Sequence, residues 1–277
     1  MNVKRLSVIL IAITFCIVVL ISLVELFSIK KVEAQFFVVS EDVQSAQSVL
    51  NDYEGKNLLF LDEKDVENAL NSNPYLQIYS VEKQYPNVLR LNVKERREVY
   101  KLTDNGKTYI LDQDGYVLND NGVSKQGGAL IDLSFITFRN NPNLTAKISV
   151  ESGALGSKIQ TDNDDIVYKA LAIAKNIGLF DCIKAVVIED CAGEYDVSFE
   201  TNTGVKIYVV DLAVDGERKG QVAFNVYNMT ATDYQKRFGN IEVCYLKDGQ
   251  DKLKVIHTYD NIDKDDRVDY SLYEEQI

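Results

Sequence analysis

Tryptophan is missing from the 277 residues, proline occurs three times and histidine once. So few prolines exclude a Pro-rich stalk or linker. The lone histidine, His257, stands in an expected strand with no serine or cysteine placed beside it by any motif. It reads as a structural residue, and His-centred nucleophilic or metal chemistry loses its usual signature. The four cysteines, Cys16, Cys182, Cys191 and Cys244, form no CxxC pair, which removes zinc-ribbon and thioredoxin-like sites. Cys182 and Cys191 flank one apolar strand and could meet in a disulfide. The plainer reading makes the three later cysteines reduced, half-buried small hydrophobes. Positive charge is in the minority, with 30 basic side chains against 42 acidic ones and a net charge of −12. A field of that sign repels phosphate backbones and anionic headgroups alike, and no basic patch interrupts it. No nucleic-acid partner is expected, and any membrane attachment must come from an apolar segment.

Such a segment is present. Leu6–Val24 reads LSVILIAITFCIVVLISLV, 19 residues without a charge, and extends to Ile29 if Glu25 is tolerated. At about 1.5 Å per helical residue the 24 residues from Leu6 to Ile29 cover the roughly 30 Å hydrocarbon core with a little tilt. A cleavable signal peptide would have an apolar region of about 7–15 residues and a small-residue cleavage site close behind. Here Lys30 and Lys31 intervene before the weak Val-Glu-Ala site at Ala34, so a retained transmembrane helix over residues 6–29 is expected. Lys4 and Arg5 before it balance Lys30 and Lys31 after it, so charge alone does not orient the helix.

The remaining length suits about two domains. Sixteen Tyr and eleven Phe suggest β-rich packing, since aromatic rings suit a pleated, half-buried surface. Between Gln35 and Arg97 the order is strand, helix, helix, strand, strand. QFFVV is the first strand, and loose helical spacing of Val43, Ala46 and Val49–Leu50 follows, ended by Gly55. Asp62 is a candidate N-cap for a helix carrying Val66, Ala69 and Leu70, stopped at Asn73-Pro74. Alternating strands over Leu76–Gln84 and Val88–Lys94 turn at Tyr85-Pro86-Asn87. From Glu98 on, EVYKL, KTYILD and YVLND are split by Asn105-Gly106 and Asp114-Gly115 hairpin signals. Asp162 opens a helix with Ile166, Val167, Ala170, Leu171, Ala174 and Ile177 on one face, closed by Gly178. IKAVVIED, YDVSFETN and VKIYVVDL follow as strands, then a helix from about Asp215 carrying Val222, Ala223, Val226 and Tyr227. NIEVCYL and KLKVIHTY, turned at Asp248-Gly249, form the last pair. Asp260–Ile277 holds seven acidic and two basic residues and reads as a solvated, disordered tail.

GKNLLFLDEKDVENALNSNPYLQIYSVEKQYPNVLRLNVKERREV resembles the POTRA domain of the FtsQ/DivIB family of bacterial cell-division proteins. Val81, Lys83, Pro86, Leu89, Leu91, Val93, Glu95 and Arg96 take the places of that family's strand–turn–strand motif. YILDQDGYVL is similar to its D-x-D-G-x-V hairpin, which opens a second, β domain. The chain departs from the pattern in three places. No Gly-Asn turn follows the first strand, no proline follows Glu95-Arg96, and no glycine follows VKIYVVD. The resemblance implies an α+β fold: a cytoplasmic tail over 1–5, a transmembrane helix over 6–29 and a βααββ POTRA domain over 35–97. A mixed α/β domain on an antiparallel sheet would cover 98–259, and the acidic tail 260–277.

The resemblance also implies function. The amino terminus would be cytoplasmic and the bulk of the chain extracytoplasmic, at the division septum. The protein would be a non-enzymatic scaffold without cofactors or metals. Its partners would be single-span division proteins of the FtsL and FtsB/DivIC type, added as a strand to the exposed final edge of the β domain. The corresponding strand is NIEVCYL, making Ile241, Glu242, Val243, Cys244 and Tyr245 the expected partner-binding residues. Tyr245 is the favoured side chain, although period-2 alternation would equally turn Ile241, Val243 and Tyr245 toward the domain core.

Other readings have less to rest on. Asp112-x-Asp114-Gly115 fails the calcium-loop pattern, with its glycine at the fourth position of the would-be loop and Val123 at the twelfth. Asp162–Asp165 suits a helix amino terminus. Asn143-Leu144-Thr145 and Asn228-Met229-Thr230 are sequons that a bacterial protein seldom uses. Two alternatives stay open: an anchored envelope binding or sensor protein with a glycan or peptide ligand, and an enzyme with a converging carboxylate pair.

Overall fold

The computed structural model describes residues 3–39, 41, 43–70, 72–138, 141–177, 183–202, 204–231, 240–245, 253–258 and 268–269. Two compact units emerge, Met1–Arg96 and Arg97–Ile277.

The first unit contains α1 (Val3–Leu26), β1 (Lys31–Phe37), α2 (Val43–Asn51), α3 (Glu63–Glu67, continued as a 3-10 turn over Asn68–Leu70), β2 (Leu76–Gln84) and β3 (Val88–Glu95). Its sheet has the order β1-β3-β2, with β1 parallel and β2 antiparallel to β3. The central strand buries Leu89, Leu91 and Val93 completely, as its alternation requires. Each such side chain stabilises the unit by about 1.5–3 kcal/mol. Leu50, Leu58 and Val66 meet them from the helical side. Asp62 caps α3 as expected, with extended backbone and a carboxylate accepting the Lys64 N–H at 2.9 Å. The helix is shorter than expected, however. Beyond Glu67 the run Asn68-Ala-Leu-Asn-Ser-Asn73 is poor in helix formers and tightens into a 3-10 turn. Strand β1 begins four residues before QFFVV and buries Val32.

In α1 the described side chains run over residues 12–19 and 21–26. Among the described residues no helix is long and apolar enough to cross a membrane. The uncharged run Leu6–Val24 is a property of the sequence.

In the second unit, β4 (Tyr100–Asp104), β5 (Lys107–Leu111), β6 (Val117–Asn119) and β7 (Ile131–Asp132) form a small sheet of order β6-β5-β4-β7. Next come β8 (Phe135–Phe138), β9 (Asn141–Lys147), a ribbon of β10 (Val150–Ser152) and β11 (Gln160–Thr161), and α4 (Asp164–Ile177). The chain continues through β12 (Ile183–Asp190), β13 (Tyr195–Thr201), β14 (Lys206–Val209), α5 (Gly216–Ala231), β15 (Asn240–Tyr245), β16 (Leu253–Thr258) and β17 (Val268–Asp269). Eight strands make the large sheet, ordered β17-β16-β15-β14-β13-β12-β8-β9.

This sheet is mixed, which corrects the antiparallel expectation: β8 runs parallel to β12, and β14 to β15. The reason is the two helices. Helix α5 joins β14 to β15, and the path from β8 to β12 runs through β9, the β10–β11 ribbon and α4, long crossovers of the kind that parallel neighbours need. Val167, Ala170, Leu171, Ala174 and Ile177 of α4 are buried as their spacing predicts, with Val222, Ala223 and Tyr227 of α5. Asp162 does not cap α4. Its carboxylate accepts the Ser149 N–H at 3.0 Å, and the first intrahelical bond runs from Val167 to the Asn163 carbonyl. Gly178, the Asp248-Gly249 turn and most of the acidic tail lie outside the described residues.

Candidate interaction edge and the surfaces around it

The expected partner strand lies inside the sheet. Across β15, Ile241, Glu242 and Val243 pair with Ile207, Tyr208 and Val209 of β14 on one side. On the other side all six residues from Asn240 to Tyr245 pair with β16, ending at Tyr245 opposite Leu253. Ile241, Glu242 and Val243 are therefore paired on both sides, and Cys244 and Tyr245 on the β16 side. The sequence order already contained the correction: KLKVIHTY returns antiparallel beside NIEVCYL and takes the outer position.

Among the described residues the outer side of β16 is covered in part. Val268 and Asp269 of β17 pair there with His257 and Ile256. Alongside Leu253, Lys254 and Val255 the described residues place no further strand. The acidic tail, expected to be wholly disordered, thus supplies two paired residues to the edge.

The far edge of the sheet is β9. Its pairing with β8 slips between Thr137, opposite Thr145, and Phe138, opposite Asn141. The slip bulges a segment that holds Pro142, which has no N–H to give.

The D-x-D-G hairpin is a packing device. The Asp112 side chain is buried, and its Oδ1 accepts the N–H groups of Asp114 and Tyr116, both at 2.9 Å. Gly115 has φ +82°, and a Cβ there would come within 2.9 Å of the Tyr168 ring on α4. Only glycine meets both demands. The Tyr168 hydroxyl donates to the Ile159 carbonyl, and Lys175 of α4 meets Asp114 at 2.6 Å. Burial first, then nearby Asp164, pushes the Tyr168 phenol up to about 12.

The polar stretch Asp120–Gly128 is organised around buried Glu98, whose carboxylate accepts from Ser124 Oγ at 2.5 Å and from the N–H groups of Lys125 and Gln126.

Among the described residues, Glu189, Cys191 and Asp196 bring three possible ligand atoms within 4.8 Å of one another. Asp196 is buried and already engaged. One oxygen accepts the Asp211 N–H at 2.8 Å and the other faces Cys191 Sγ at 3.5 Å, which ties the β12–β13 hairpin to the loop before α5. Cys191 forms no disulfide among the described residues, and Cys182 lies outside them. A groove of about 550 Å³ between α4 and the start of α5 is lined by Asp165, Tyr168, Lys169, Leu212 and Arg218, among others. Sequence reasoning did not find it, because it depends on how two helices lie together.

Residues 28–96 match the POTRA domain, FtsQ-type. The first unit thus carries an FtsQ-type POTRA domain. The chain is 30% identical over 94 residues to the cell division protein DivIB of Clostridium tetani, covering 33% of this chain and 34% of that protein. It is 26% identical over 122 residues to DivIB of Clostridium botulinum, covering 42% and 46%. With DivIB of Clostridium acetobutylicum it shares 24% identity over 161 residues, covering 58% and 55%. These matches support a likeness to the FtsQ/DivIB family, and the alignments span from a third to just over half the length of these relatives.

Proposed function

We propose that this protein is a non-enzymatic, membrane-anchored component of the cell-division machinery at the septum. In this reading α1 spans the membrane through Leu6–Val24, the amino terminus is cytoplasmic, and both units are extracytoplasmic. The three DivIB relatives support the division role, and the uncharged helical run supports the anchor. The partners are single-span division proteins of the FtsL and FtsB/DivIC type, and one of them adds a strand along β16. The observation that carries this is the outer side of Leu253–Val255, beside which the described residues place no strand, toward the end of an eight-stranded sheet. A strand edge presents N–H and C=O groups that an extended segment can satisfy. Ile241–Tyr245 then act one strand inward, fixing the register of the edge that the partner meets.

The test uses the full chain in lipid nanodiscs and the extracytoplasmic segments of the FtsL- and DivIC-like proteins of the same organism. Neighbouring residues direct their N–H groups to opposite sides of a strand. Of Lys254→Pro and Val255→Pro, the one whose N–H points outward is expected to weaken binding about a hundredfold with an unchanged circular dichroism spectrum. No binding by the unaltered chain to either partner, separately or together, would refute the reading. The groove between α4 and α5 favours a second reading, an envelope sensor for a glycan or peptide. Saturable binding of peptidoglycan fragments, lost in Lys169→Glu, would support it.

A further inference from the structure

The last turn of α1 is stitched to a loop of the POTRA unit. The Asn57 side chain donates from Nδ2 to the Val24 carbonyl at 3.2 Å, while its Oδ1 accepts the Leu59 N–H at 3.0 Å. The Leu58 N–H bonds the Phe27 carbonyl, and the Ile29 N–H bonds the Lys56 carbonyl, both at 2.8 Å. The Gly55 N–H returns to the Ile29 carbonyl, with Gly55 at φ +82° to make the turn. Carbonyls that a helix end leaves without intrahelical partners are thereby satisfied by one short segment. At its other end the loop is held by Lys83, whose Nζ donates to the Leu61 carbonyl at 2.7 Å. A second loop reaches the same place. The Lys30 N–H bonds the Asn87 carbonyl at 2.9 Å, and the Tyr85 ring stands edge-on to Phe27 with centroids 6.0 Å apart.

Both loops turn apolar side chains outward at this point. Leu58 is fully buried, but Phe60 is 81% exposed, Tyr85 58% and Leu59 44%, and Leu26 and Val24 on the helix are equally bare. The patch is continuous with the apolar helix through the bonds just described. Phe60 lies three residues past Asn57, so its Cα falls within roughly 11 Å of a residue bonded to the helix end. The interfacial zone on each side of a bilayer is roughly 5–8 Å thick. A loop fastened to the last turn of a spanning helix has little freedom to leave that zone. Phe and Tyr rings, one wholly apolar and one with a polar tip, are side chains that settle there.

We propose that Leu59, Phe60 and Tyr85 form a lipid-contacting collar that seats the POTRA unit on the outer membrane–water interface. The collar rests on the anchor reading of α1 and adds to it: the domain is docked on the bilayer and not suspended above it. Asn57 is the positioning residue, because its two side-chain bonds tie the loop to the helix. The occupant is the acyl–headgroup boundary of the lipid, so zwitterionic vesicles are sufficient to reveal it.

The absence of tryptophan makes single-reporter experiments direct. The full chain carrying Phe60→Trp, reconstituted in phosphatidylcholine vesicles, is expected to emit at shorter wavelength than in denaturant. Brominated acyl chains should cut its intensity roughly twofold, as for an interfacial indole. Tyr79→Trp, roughly 20 Å along β2 from Tyr85, should remain unquenched. Phe15→Trp inside α1 reports on the anchor alone. Quenching at Phe15→Trp without quenching at Phe60→Trp would overturn the collar and leave the anchor standing. Lack of quenching at both would overturn the anchor, and the collar with it. A blue-shifted Phe60→Trp indole that bromine does not quench would assign the patch to a protein contact and also overturn the proposal. Adding Asn57→Ala to Phe60→Trp should reduce its quenching while Phe15→Trp is unaffected. Unchanged quenching would remove Asn57 from the role assigned to it.

Discussion

The two edges of the eight-stranded sheet are made of different material. Strand β9 slips against β8 and contains Pro142. Strand β16, LKVIHT, pairs without a slip along all six residues of β15 and has no proline. Edge strands are templates for unwanted pairing, and bulges and prolines are common ways of blunting them. One edge of this sheet is blunted in both ways. The other is left regular and, among the described residues, carries the two residues of β17 on its outer side. A sheet with one edge closed to pairing and one available has a direction in which it can grow, and that asymmetry is what the strand-addition proposal uses.

The largest effect is expected from Val243→Pro. In a strand paired on both sides it removes a ladder bond and should destabilise the second unit by about 3 kcal/mol or more, read as a lowered melting temperature. Next comes the outward-facing member of Lys254→Pro and Val255→Pro. Partner affinity should fall about a hundredfold, the equivalent of roughly 3 kcal/mol, with little change in melting. Proline at Ala146 in the already blunted β9 should leave partner affinity unchanged. If it weakened binding as much, the assignment of the edges would be reversed.

Deleting residues 260–277 removes β17 from β16. It should strengthen partner binding about fivefold, since displacing two paired residues costs about 1 kcal/mol. Weaker binding would make the tail part of the partner site. Pro142→Val returns an N–H to β9 and should raise self-association in sedimentation by a few-fold at most.

The smallest effect is expected in the middle of the sheet, where Lys184 meets Glu200 at 3.0 Å. A hydrogen bond from Lys184 holds the Glu200 carboxyl below its usual range. Its contribution is present above an unfolded value near pH 4.3 and is lost as pH falls through the folded one. Lys184→Met should therefore remove that acid-side dependence while changing neutral stability by less than about 1 kcal/mol.

Much of this was readable from the residues because it is local. The strand Val88–Glu95 alternates in the sequence and is buried in the same alternation, and Leu76–Gln84 follows it as far as the register shift after Ile78. The Asp62 cap needs only the two residues that follow it. The buried stripe of α4 follows from helical spacing, and the glycine of D-x-D-G from the turn that it makes. Residues 129–161 were not readable in this way. Strands β7, β8, β10 and β11 are two to four residues long, too short for periodicity to announce, and β7 and β8 pair with strands far along the chain. Asp162 looked like a cap because its sequence position permits one, and Ser149, thirteen residues away, took its carboxylate instead.

By itself the sequence determined that the chain has an uncharged amino-terminal run, an FtsQ-type POTRA unit and a strand-rich second unit, since charge, periodicity and turn chemistry are written residue by residue. Which strand ends the sheet was decided only in three dimensions. NIEVCYL and KLKVIHTY read alike as amphipathic strands, and what separates them is which one finds β14 for a neighbour. The collar at the end of α1 has the same origin. Asn57 and Val24 are far apart in sequence, and only the folded POTRA unit brings the amide of one to the carbonyl of the other.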